Sequence, residues 1–446
     1  MFQSKSLMRK IRNLLDNTYS YHTIFGIFIT FTGISYLINW MLQYRSVDGN
    51  IHLSYRISSQ SQADIPWLPS GITPQPIFGV HHFGDWQLTS AYSQITSPYT
   101  GEYPAITPPV GLIITRLISL LGVQFGFLIF TFICITLYWL LITSELANIK
   151  KHEKIFVFCS VSIFSLPFMF AFDRGSSVPI ALVCAALGMT YSSRNKKIYS
   201  AICFCIAISI KPYLVFMLLI ILAEKKYREF FINMGVATLT NLIVLITFYS
   251  VHPITGLLDY MKSIIFYSNL DDPLNQLKGV SPLSFVSKII EIMQGRDAAL
   301  FFYEKSIAAY FIVTLIVFLL GWQIAKNKKL SFEIKIVIFL ALIPCLIPNS
   351  MFYTLTWSSC AFVYWMKILV TDSKEFHISR FQNLSLLILF MVVLSPNLAV
   401  VNLNNPSGLY FLQHFLYFPS LLLVLVSFTI FPVFLTKQNE DRSKAT

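Results

Sequence analysis

The stretch VQFGFLIFTFICITLYWLLIT, Val123 to Thr143, holds no charged side chain. Wound as a helix rising 1.5 Å per residue, it reaches about 30 Å, the thickness of a bilayer's hydrocarbon core. Phe230 to Tyr249 is a second run of the same kind. A chain with two such runs, 55% hydrophobic residues, 40 phenylalanines and only 12% charged residues reads as a polytopic membrane protein, and the expected fold class is all-α. The net charge of +12 is no nucleic-acid footprint, because the basic residues sit in small clusters at the ends of apolar runs and build no continuous basic face. Cys134, Cys159, Cys184, Cys203, Cys205, Cys345 and Cys360 all fall within apolar runs, with neither a disulfide framework nor zinc spacing.

Outward from these runs, spans are expected near 22–43, 123–143, 155–172, 178–191, 198–210, 212–223, 230–250, 306–325, 333–347, 353–370, 384–400 and 409–435. That makes about 12 transmembrane helices, some short or re-entrant, in a single domain over 1–446. Lys5, Arg9, Lys10 and Arg12 precede the first span, which lacks a small-residue cleavage site and reads as a retained anchor with a cytoplasmic N-terminus. Every second connection is then cytoplasmic: Lys150/Lys151/Lys154, Arg194/Lys196/Lys197, Lys225/Lys226/Arg228, Lys326/Lys328/Lys329/Lys335, Lys367/Lys374/Arg380, and the polar tail 436–446 with Lys437/Arg442/Lys444. This puts 23 of the 33 basic residues inside, as the positive-inside rule demands. The same parity settles two ambiguous segments. Pro108 to Leu121 is too short to span, carries Arg116, and is expected to lie flat in the interface. Residues 198–223 are expected to form a short hairpin with Lys211 at its tip, since one kinked helix would invert every later basic cluster.

Polarity collects on the outer side. A first loop, 44–107, and a second, 251–305, are expected to carry interfacial helices; Asp173-Arg174-Gly175, the Lys211 tip and Pro348-Asn349-Ser350 share their parity. Spans of 13 and 12 residues are too short for a full bilayer, so Lys211 should sit below the surface, where a lysine is costly without an anion or a water-filled cavity. It either binds phosphate or snorkels from a helix end. Arg174 either serves an anion, aided by the small residues Gly175-Ser176-Ser177, or forms a structural pair with Asp173. Asp85, within His81-His82-Phe83-Gly84-Asp85-Trp86, is a carboxylate just outside the bilayer and a candidate general base. His81 and His82 either orient an acceptor or are simply solvated, and Glu102 is a candidate second acid. Asn349, Ser350 and Tyr353 either line a sugar pocket or form a turn around Pro348. Asp271-Asp272 is expected to face water rather than hold a metal. Asn241, within an apolar span, is expected to hydrogen-bond between helices. Neither GxGxxG nor GxxxxGK[ST] occurs, and an outer-face site excludes cytosolic nucleotide donors, so a transferred group would arrive on a lipid.

From Phe172-Asp173-Arg174-Gly175, through Ala207-Ile208-Ser209-Ile210-Lys211-Pro212-Tyr213, to Glu224-Lys225-Lys226, the chain resembles the bacterial GT-C glycosyltransferases. It is most similar to the group of polyprenyl-phosphate-mannose-dependent α-1,2-mannosyltransferases. The resemblance covers roughly residues 20 to 250, and the segment 51–78 has no counterpart in it. It implies a multi-pass enzyme of the bacterial inner (cytoplasmic) membrane, both termini cytoplasmic. Such an enzyme moves a hexose, mannose or glucose, from a polyprenyl-phosphate donor to an envelope glycan or glycolipid acceptor on the outer face. It also implies an aspartate in the first outer loop; Asp85 is the matching position, with Tyr103-Pro104 and Pro108-Pro109 resembling the family's return to the membrane. No cofactor and no metal are implied; the partners are the lipid bilayer, the donor and the acceptor.

Attack of a hydroxyl on the anomeric carbon of a sugar phosphate needs a base for one proton and cations for the departing phosphate. Asp85 with Lys211 and Arg174 meets that minimum and gives inversion, whereas glycoside hydrolysis ordinarily needs a carboxylate pair. Two rivals stand beside it. A secondary transporter would account for many spans and buried ionisable groups. An O-antigen polymerase or ligase would use arginines in large outer loops, for which Arg45, Arg56 and Arg296 are candidates.

Overall fold

The computed structural model of the chain describes Gly26, Thr30 and residues 84–94, 97–100, 105, 107–162, 165, 167–168, 171, 175–249, 252–270, 279–307, 309–348, 350, 352–370, 379–394, 399–401 and 409–429. The expected first span at 22–43, apart from Gly26 and Thr30, the 51–78 segment and the polar tail 436–446 lie outside the described residues.

The fold is all-α. In chain order the helices are α1 (Gly84–Ser93), α2 (Pro109–Ser119), α3 (Val123–Glu145), α4 (Lys151–Val161), α5 (Val178–Ser193), α6 (Lys197–Ile210), α7 (Leu218–Ala223), α8 (Tyr227–Tyr249), α9 (Pro253–Leu270), α10 (Pro282–Gln294), α11 (Arg296–Ile307), α12 (Tyr310–Lys326), α13 (Phe332–Leu342), α14 (Trp357–Val370), α15 (Arg380–Leu394) and α16 (Leu412–Thr429). Three 3-10 segments among the described residues join them, at Pro212–Met217, Ile343–Leu346 and Phe352–Thr356. Among the described residues the strands are β1 (Ala399–Val401) and β2 (Leu409–Phe411), an antiparallel pair with Val400 opposite Tyr410.

The two long uncharged runs became α3 and α8, 23 residues each and the longest helices among the described residues. Phe125–Glu145 and Tyr227–Thr247 are long and apolar enough to cross a membrane unaided, and the bent pair α11–α12 adds a third if it is one span. Both turn an apolar stripe outward, Phe125, Leu128 and Phe132 on α3 and Phe231, Leu239 and Ile243 on α8, as a helix bathed in lipid does. The shorter α5, α13 and α14 are buried almost all round and form the centre. There Trp365 stacks on Phe390 of α15 at 5.0 Å and Phe216 on Phe339 at 4.6 Å.

Two expected spans are interrupted. The one at 155–172 stops being α4 at Val161, and Ser165 N–H turns back to the Ser162 carbonyl at 3.2 Å just ahead of Pro167, whose ring disfavours helical geometry in the residue before it. The one at 384–400 ends as α15 at Leu394, and β1 begins at Ala399. Pro108 to Leu121 lies less flat than expected. Pro109 to Ile113 are buried against α1, α6 and α8, and only the far end exposes Leu117, Leu120 and Leu121.

The connections read as cytoplasmic meet at one end. Glu145, at the end of α3 with a side chain 1% exposed, accepts from Arg194 after α5 at 3.2 Å and from Lys367 of α14 at 2.7 Å. Lys367 also reaches Glu333 of α13 at 2.9 Å, and Lys335 reaches Glu224 at 2.8 Å. Lys226 Nζ donates to the Ser192 carbonyl at 2.8 Å, so the chain that leaves Lys196 along α6 has returned to the end it started from. That return is the hairpin, and it puts Lys211 at the opposite end of the molecule.

Candidate active site

Lys211 caps the C-terminus of α6 in an extended conformation, its N–H still bonded to the Ala207 carbonyl at 2.8 Å. Pro212, with its φ fixed, opens the following 3-10 segment and turns the chain back. The side chain is half-buried, yet protein crowds it enough that desolvation lowers its pKa, and the charge of Asp85 opposes that shift. Asp85, itself half-buried, lies near enough for its charge to act on this lysine.

Three contacts bring those two residues together from positions 126 apart in sequence. First, Asp85 lies in the first turn of α1, where the helix dipole favours a carboxylate. Its neighbour Trp86 is buried against Phe127 and Phe130 of α3, with ring centroids at 6.4 and 5.1 Å. Second, Ser90 Oγ donates to Ser119 Oγ at 2.8 Å, joining α1 to α2. Third, α2 packs on the last turn of α6: a Cβ on Gly111 would lie 3.5 Å from the Ser209 carbonyl oxygen and 3.8 Å from Ile210 Cα, at ordinary contact distance, so a side chain much larger than a methyl would press on α6, while the nearer Thr107 Cγ2, at 2.8 Å, belongs to the approach to α2 itself. Pro108 supplies no side-chain cap to α2. Asn241 of α8 does so instead: its Oδ1 accepts from the Val110 N–H at 3.2 Å while its Nδ2 donates to Ser209 Oγ at 2.7 Å and to the Ala237 carbonyl at 2.9 Å. The expectation that Asn241 bonds between helices is met, with a cap added.

Other connections read as outer converge on this end. Gly175 is left-handed at φ 64°, a conformation that favours glycine, and places buried Ser176 with its N–H on the Ala171 carbonyl at 2.8 Å, just before α5. The Phe352–Thr356 segment packs on α5, and Ile343–Leu346 packs on Pro212–Met217. Ser350 is buried and its carbonyl accepts from Val280 N–H at 2.7 Å. Tyr99, its hydroxyl donating to the Thr107 carbonyl at 2.9 Å, stacks edge-on with Tyr260 of α9 at 5.3 Å, so the two long loops touch. Tyr353 falls within the Phe352–Thr356 segment. Arg174, Asp173, His81, His82, Glu102, Tyr103, Asn349 and the Asp271-Asp272 pair lie outside the described residues. Sequence reasoning missed the Gly111 approach, the capping use of Asn241, and Lys288 of α10. A glycine after Pro-Pro-Val was the available signal for the first.

Fold and site thus define an integral membrane protein with a carboxylate and a lysine within electrostatic reach of each other at one end. The family model for glycosyltransferase family 87 matches residues 106–347, more than half of the chain, and the chain belongs to that family of GT-C-like membrane glycosyltransferases. The GT-C resemblance is borne out at that level, and membership sets aside the solute-transporter reading. No curated protein and no solved structure matches the chain. The matched segment contains Gly111, Lys211 and Asn241; Asp85 lies before it.

Proposed function

We propose that the protein moves a hexose, mannose or glucose, from a polyprenyl-phosphate donor to an envelope glycan or glycolipid, as the mannosyltransferase-like sequence pattern suggests, on the outer face of a bacterial inner membrane. The acceptor hydroxyl attacks the anomeric carbon as Asp85 takes its proton; the bond from that carbon to the phosphate oxygen breaks, and the phosphate departs with the electron pair. Lys211 and Arg174 hold the growing negative charge, and the configuration inverts. No acid is needed for the leaving group, so one carboxylate suffices.

The observation carrying this reading is the placement of Asp85 within electrostatic reach of the desolvated Lys211. Family membership supports glycosyl transfer, and a lysine at the tip of a short hairpin suits a phosphate held near the membrane surface. The test is Asp85→Asn in membranes supplied with polyprenyl-phosphate mannose and, in parallel, glucose. Turnover is expected to fall about 10²- to 10⁴-fold with the donor still bound. Undiminished turnover would remove Asp85 from the role of base.

A further inference from the structure

Helix α10 is inverted relative to a helix of a water-soluble protein. Val286, Ile289, Ile292 and Met293 form its outward stripe, between 38% and 74% exposed, while Ser284, Ser287, Lys288 and Glu291 face inward and are buried. The outward stripe suits lipid. The inward face holds residues 279–281, just ahead of the helix, and these meet the turn that follows α13.

Lys288 has no exposed surface, and its Nζ donates to the Gly279 carbonyl. Burial drives its pKa well below the lysine range, and Glu291, one turn on, partly restores it. The three residues 279–281 are each pinned. Gly279 is held by Lys288, and a Cβ there would stand 2.3 Å from Ser284 Oγ and 3.2 Å from the Ser350 carbonyl. Val280 N–H donates to that same carbonyl at 2.7 Å. Ser281, the N-cap of α10, donates from Oγ to the Pro348 carbonyl at 2.5 Å. The turn so gripped continues from Ile343–Leu346, which packs on Pro212–Met217, the segment directly after Lys211. A methionine would fill the Lys288 site without the cost of burying a charge, so packing alone does not account for a lysine.

We propose that Lys288 is a positioning residue for donor binding: by holding Gly279 it fixes the 279–281 strap on the Pro348–Ser350 turn and thereby sets where Lys211 meets the donor phosphate. This rests on the reading of Lys211 as the phosphate cation. Lys288→Met alone would strand Glu291, so the informative variant is the double Lys288→Met/Glu291→Leu, with Ser281→Ala as a second that breaks the strap without touching a charge. The probe is sugar-free polyprenyl phosphate, its binding to purified protein read as protection from thermal unfolding; donor KM and kcat are measured in proteoliposomes with polyprenyl-phosphate mannose. The double variant should fold, bind the probe about tenfold more weakly and raise donor KM alike with kcat little changed, and Ser281→Ala should move the same way. Wild-type probe binding in a folded double variant, or in Ser281→Ala should the double fail to fold, overturns the proposal. Lys211→Met separates it from its premise: if that variant also binds normally, the phosphate reading itself has failed.

Discussion

Replacing Asn241 with leucine cuts the tie that holds the packed pair of Asp85-bearing α1 and α2 to the Lys211-bearing helix. The substitution removes three hydrogen bonds, two of them between helices, and leaves the Val110 N–H and the Ser209 hydroxyl without their partner in an apolar surround. Interhelical hydrogen bonds inside membranes average about 0.6 kcal/mol and reach about 1.7, so two of them put the expected loss of stability at about 1–3 kcal/mol. The effect on catalysis should be larger than that. With its first turn uncapped, α2 is free to shift on α6 near Gly111, and α1 shifts with it; a displacement of about 1 Å between reacting groups costs about 100-fold in rate. The assay is turnover per folded molecule at saturating donor, beside the thermal unfolding midpoint in detergent. A variant that loses stability but keeps wild-type turnover would refute the idea that this tie aligns Asp85 with Lys211.

Gly111→Leu should act on the same contact from the other side, wedging α2 off the Ser209 carbonyl and lowering turnover by at least the Asn241→Leu factor; normal activity would show that α2 does not set the site. Lys211 should give the donor-binding profile an alkaline limb. Its folded pKa lies below the ordinary 10.5 because burial disfavours the charge, so polyprenyl phosphate binding should weaken as pH rises through that lowered value, and Lys211→Arg should move the limb upward. Between that value and 10.5 the unfolded chain still holds the proton the folded one has lost, so this group's contribution to stability rises with pH across the same window. At the other end, Glu145→Ala removes the carboxylate that Arg194 and Lys367 share, while Lys367 keeps Glu333, Arg194 keeps Ser144 and both cations are partly exposed, 39% and 28%; the expected cost is about 1 kcal/mol with turnover per folded molecule unchanged, and a large fall in kcat would tie the inner end to chemistry. Impermeant labelling of cysteines placed at Lys196 and at His252, both exposed, should come from opposite sides of the membrane, and labelling from one side would break the assigned parity.

What was legible in the sequence was whatever the membrane imposes on composition. Basic clusters must stay on one side, so Arg194, Lys226, Lys335 and Lys367 could be assigned to a common end before any contact was known, and they meet there. Their acidic partners Glu145, Glu224 and Glu333 could not be assigned, because a carboxylate obeys no such side rule. The Lys211 hairpin was legible for the same reason: spans too short to cross, closed by a proline, leave a lysine where lysines are expensive. The docking of α2 was not. Its eleven residues carry a strong apolar face in either setting, and its docking on α6 and α8 depends on contacts such as that of Val110 N–H with Asn241, 131 positions away in sequence. Helix α10 is the sharper case. Its pattern declares an amphipathic helix, with Ser284, Ser287, Lys288 and Glu291 along one side, but periodicity cannot say which side turns inward. In water the apolar side would be buried. Beside lipid the preference reverses, so a lysine that composition assigns to solvent becomes fully buried in the loop read as outer, and its reason for being there must be sought in what it holds.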